Sequence, residues 1–65
     1  MQSVNSETTS IKGDTPEERA RVLSRFVSRC HRDGLRVVAF ETYVTPLGDF
    51  ISGIHNLHIL AIVED

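Results

Sequence analysis

The chain has 65 residues, 40% hydrophobic and 25% charged, with a formal net charge of −2, which leaves room for one small globular domain and excludes several. A domain of this size buries only about 60% of the surface its unfolded chain exposes, so natural examples lean on disulfides, a metal or oligomerisation. Its one cysteine, Cys30, excludes an internal disulfide and suits a reducing compartment. The charge is unevenly spread: −3 over residues 1–18, +5 over residues 19–36 and −4 over residues 37–65. The overall acidity does not point to a nucleic-acid binder, while the basic middle allows one.

Residues 1–14 are rich in Ser, Thr, Asn and Gln, with only Val4 and Ile11 as aliphatic side chains after Met1. Low hydrophobicity at a terminus predicts a flexible polar tail here, with a single domain over residues 15–65. Thr and Ile at residues 8–12 would suit a short edge strand. The polar start MQSVNSETTS lacks the apolar segment of a secretory signal. Residues 59–63, the longest apolar run, are too few to span a bilayer. The expectation is a cytoplasmic protein without a membrane partner.

Residues 15–34 carry the clearest start and stop signals. Thr15, Pro16, Glu17 and Glu18 read as a capping box with proline at the first helical position and acidic residues in the first turn. Arg29, His31 and Arg32 suit the other end, and Gly34 suits a left-handed cap. Between them Ala20, Val22, Leu23, Phe26, Val27 and Cys30 recur at helical spacings and form one apolar stripe, so Cys30 reads as a small buried hydrophobe. Arg21, Arg25, Arg29 and Arg32 follow each other at spacings of 4, 4 and 3 along another face, with Arg36 just beyond.

Residues 35–44, rich in β-branched and aromatic side chains, predict a strand directly after Gly34. Thr45, Pro46, Leu47 and Gly48 have the residues of a type I turn. Residues 57–63 predict a second, almost continuously apolar strand. Two registers fit. One is a tight pairing around the turn, with Val44 opposite Phe50 and Phe40 opposite Ile54. The other, which is preferred, sets Val37 opposite Val63, Val38 opposite Ile62, Ala39 opposite Ala61 and Phe40 opposite Leu60, so that apolar meets apolar on each rung.

The fold class is therefore α+β: one amphipathic helix packed on an antiparallel β-hairpin, with room for a short third N-terminal strand, in the order (β)-α-β-β. One helix covers one sheet face. In the preferred register Val37, Ala39, Tyr43, Leu57, Ile59, Ala61 and Val63 line the other, and a homodimer is the economical way to close it.

No constellation of the kind that carries catalysis is prominent. His55 and His58 are three residues apart, which on a strand sends them to opposite faces, so no metal site and no cofactor is expected. There is neither a nucleophile elbow nor a phosphate loop. Glu41, alone in an apolar strand, would suit general acid–base work with His58 at a dimer interface if it were buried. Arg21, Arg25, Arg29, Arg32 and Arg36 read as a solvated face, as a fork set for an acidic protein surface, or as a contact for phosphates. Leu47, Phe50, Ile51 and Ile54 are too apolar for an ordinary exposed loop and read as a dimer contact or a partner site. The expected function is a small non-enzymatic regulator or adaptor that binds a macromolecular partner as a homodimer. A nucleic-acid-binding regulator and an interface enzyme are the alternatives.

Overall fold

The computed structural model describes residues 1–46 and 53–65. Its elements are β1 (Gln2–Lys12), α1 (Pro16–Arg32), β2 (Arg36–Pro46) and β3 (Ile54–Glu64). The strands form one antiparallel sheet in the order β1-β3-β2, an α+β architecture. Both outer strands run antiparallel to β3 and hence parallel to each other, so the chain needs a crossover between them, which α1 supplies.

The tail expected over residues 1–14 is instead strand β1, paired with β3 from Gln2 opposite Glu64 to Lys12 opposite Ile54 without a register shift. Low hydrophobicity argued for disorder, but no Gly or Pro interrupts residues 2–12, and the apolar central strand offers a complete row of backbone partners. The expected short strand at residues 8–12 is the last part of this longer one.

The buried cluster comprises Ile11 from β1, Val22, Phe26 and Cys30 from α1, and Leu57, Ile59, Ala61 and Val63 from β3, none more than 3% exposed. Alternate residues of β3 thus enter the core with the apolar stripe of the helix. Leu23, Val27, Leu35, Val37 and Val44 pack around it.

The β2–β3 register begins as preferred, with Val37 opposite Val63, and then shifts at a bulge between Val37 and Ala39, so Ala39 meets Ile62 and Phe40 meets Ala61. The uninterrupted ladder would have put Glu41 and Tyr43 on the face of Leu57 and Ile59. One extra residue exchanges the faces and brings Thr42 and Val44 there instead. The expected open face is corrected accordingly: Leu57, Ile59, Ala61 and Val63 are core, and Val4, Ala39, Glu41, Tyr43, His58, Leu60 and Ile62 share the opposite face. The strand runs on through Pro46, and Leu47 and Gly48 of the expected turn lie outside the described residues.

The ends of α1 close largely as their residues suggest, although the Glu18 carboxylate goes to Arg21 and does not complete the capping box. Thr15 Oγ1 accepts from the Glu18 N–H at 3.2 Å. At the C-terminus the Leu35 N–H donates to the Cys30 carbonyl at 2.8 Å and the Gly34 N–H to the His31 carbonyl at 3.0 Å, with Gly34 at φ 78°. This is the paired closure that a left-handed glycine permits.

Candidate binding surfaces

The face of the sheet away from the core is built from rungs of three residues, one per strand. In order they are Gln2, Glu64 and Arg36; Val4, Ile62 and Ala39; Ser6, Leu60 and Glu41; Thr8, His58 and Tyr43; Ser10, Asn56 and Thr45. Past the charged first rung this face is apolar. Val4, Leu60 and Ile62 are 66%, 41% and 42% exposed. They line an open groove of about 330 Å³ with Ala39, Phe40, Glu41 and Ala61.

The other end is polar and held in place. The His58 ring stacks on Tyr43, centroids 4.5 Å apart at 13°. Its Nδ1 lies 3.1 Å from Thr8 Oγ1, and its Nε2 lies 2.8 Å from Thr45 Oγ1. A neutral imidazole donates from one nitrogen and accepts at the other, and each threonine hydroxyl can take either role, so both ring nitrogens are satisfied by flanking strands. Ser10 Oγ donates to Asn56 Oδ1 at 3.5 Å on the next rung. This cluster was not foreseen as a unit. Only the bulge at Val38 brings Tyr43 and Thr45 to the face of His58, and the sequence carries no plain mark of it.

Of the five arginines singled out, three are held by carboxylates of the chain itself. Arg21 pairs with Glu18 one turn before it, Arg29 with Glu7 on β1, and Arg36 with Glu64 on β3. Arg25 and Arg32 are exposed and have no ion-pair partner among the described residues. The Arg29–Glu7 pair fixes the side on which the row lies: it runs along the flank of α1 that overhangs edge strand β1. Arg19, outside the row, grips Asp14 with two hydrogen bonds of 2.6 and 2.8 Å. These guanidinium contacts hold the carboxyls of Asp14 and Glu18 below the ordinary range, and Arg36, with help from Gln2, does the same for Glu64.

Ile54 opens β3 at 38% exposure, whereas Leu47, Phe50 and Ile51 lie outside the described residues. Glu41 is exposed on β2 in the single chain. His55 pairs in register with Ile11 and His58 with Thr8, so the two histidines stand on opposite faces. Among the described residues no three His, Cys, Asp or Glu side chains converge as metal ligands would, and no helix is long and apolar enough to cross a membrane.

The sheet side away from the core thus carries an apolar stretch and a hydrogen-bonded stretch, with the arginine stripe of α1 beside edge strand β1. Neither a model of a known protein family, nor a curated protein, nor a solved structure matches the chain.

Proposed function

We propose that this protein acts by binding, as a homodimer in which the open faces of two sheets close on each other. The observation that carries the reading is the exposed apolar end of the sheet, Val4, Leu60 and Ile62 around a groove next to solvent. The shape supports it. The chain exposes 4560 Å², whereas a compact monomer of its 7.3 kDa would expose about 4,200 Å². Its radius of gyration is 12.9 Å, against about 10.7 Å for a compact chain of this length. Strands of 11 residues make a face of about 36 by 14 Å, or about 500 Å². Two such faces bury about 1,000 Å², the lower bound for a specific interface.

A face-to-face dimer leaves the helices, the edge strands and the arginine flank outside, where a second macromolecule can be engaged. That is the geometry of a small regulator or adaptor, and the lone cysteine suits a cytoplasmic setting. Sedimentation equilibrium across a concentration range tests it. The parent chain sediments as a dimer, and Leu60→Glu with Ile62→Glu converts it to a folded monomer. A parent that stays monomeric at every concentration overturns the dimer.

A second reading has one observation in its favour: Arg25 and Arg32 are exposed, with no ion-pair partner among the described residues, and could meet phosphates. It ranks below the first because Arg21, Arg29 and Arg36 already hold carboxylates. The interface-enzyme reading ranks lower still, since no observation favours it: Glu41 is exposed in the single chain, and only closure of the two faces would bury it near His58.

A further inference from the structure

The two edges of the sheet are not equivalent. β2 carries the devices that discourage pairing: a bulge at Val38, a proline at Pro46, and charged Arg36 and Glu41. β1 carries almost none. Its 11 residues pair with β3 without a shift and include neither proline nor glycine, and Glu7, the one charge before Lys12, is taken by Arg29. Along its outer side runs a regular row of backbone donors and acceptors, open to another strand.

The basic flank lies beside that edge. Arg29 reaches Glu7 of β1, and Arg25 and Arg32 sit one turn to either side of Arg29 on the same stripe. They are about 10 Å apart along the helix, and alternate residues on a strand repeat every ~6.7 Å. Carboxylates two to four residues apart on a strand added to β1 would therefore come within reach of both. A second copy of this chain does not fit the same edge, because antiparallel pairing of β1 with itself would set two arginine stripes side by side, with unpaired guanidinium groups facing each other.

We propose that β1 accepts an extended acidic segment of another protein as a fourth strand, with backbone hydrogen bonds giving the affinity and Arg25 and Arg32 reading alternate carboxylates on the helix side. This names the partner class for the binding reading. It does not use the open face, so it stands or falls apart from the dimer, which the solution mass decides separately.

The test is a titration of the full ¹⁵N-labelled chain with a synthetic peptide alternating valine and glutamate, and with its valine–lysine counterpart. The acidic peptide shifts and protects the amides of β1 and leaves those of β2 unchanged. Its affinity falls about tenfold in Arg25→Ser with Arg32→Ser, and falls again between about 50 and 500 mM salt. Both positions are exposed, so the variant keeps its fold, which circular dichroism verifies. Equal binding of the two peptides, shifts centred on β2 or on the open face, or no shift at millimolar peptide overturns the proposal. So does a short DNA duplex that binds through Arg25 and Arg32 without protecting β1, which would reassign the stripe to phosphates.

Discussion

The Thr15 hydroxyl accepts from the Glu18 N–H, but the Glu18 carboxylate turns to Arg21 instead of reaching back to the Thr15 backbone. A charged partner one turn along the helix competes with a neutral N–H, and this sequence supplies one. The same preference recurs at Asp14 with Arg19 and at Glu64 with Arg36. Each guanidinium lowers the pKa of its carboxyl in the folded chain. The sign follows from linkage: the unfolded chain takes up protons first as pH falls, so stability is fully present above the ordinary values of 3.8 for Asp14 and 4.5 for Glu18 and Glu64, and drains away below them. Urea midpoints measured across pH are expected to be flat from neutrality to about pH 5.5 and to fall below about pH 4.5. In Asp14→Asn with Glu18→Gln and Glu64→Gln the midpoint at neutral pH is lower and the acid slope is shallower. An unchanged slope would mean that other carboxyls carry the acid response. The helix caps, Cys30 and the row of arginines were legible because each rests on local spacing. The partners of Arg29 and Arg36 were not, because Glu7 and Glu64 are distant in sequence.

At the scale of elements, α1 and the existence of β2 and β3 followed from periodicity, and β1 did not. Its residues alternate hydroxyl, amide and acid around Val4 and Ile11, a pattern with almost no apolar face. What makes it a strand is β3 beside it, a tertiary cause that no window within residues 2–12 contains. The bulge at Val38 was equally hidden, since it adds no turn residue, yet it decides which side of β2 faces the core. Deleting Val38 removes the extra residue while leaving Val37 opposite Val63 and Ala39 opposite Ile62. The shortened chain is expected to fold with the same sheet by circular dichroism. It should also aggregate faster in light scattering, because β2 becomes a regular edge like β1. Loss of folded signal on that deletion would show that the bulge also supplies a conformation the crossover from α1 requires.

For the molecule as a whole, the binding reading rests on one physical asymmetry. The helix side holds the buried cluster, while the other side of the same sheet keeps Val4, Leu60 and Ile62 next to solvent. That asymmetry was legible as a surplus of apolar surface for one helix, although the bulge changed which residues supply it. If two copies close that face, folding and association are one equilibrium, and stability must depend on concentration. For a dimer that dissociates as it unfolds, each tenfold rise in concentration adds about 1.4 kcal/mol per dimer, or about 0.7 per chain. The unfolding entropy of a chain of 65 residues is about 0.14 kcal/mol/K. The melting temperature is then expected to climb about 5 °C for each tenfold increase in protein. Leu60→Glu with Ile62→Glu should abolish that climb while leaving a cooperative transition, because neither residue belongs to the buried cluster. A melting temperature independent of concentration in the parent would place the whole stability of the fold in the helix-side core, and the open face would then belong to a partner of another kind.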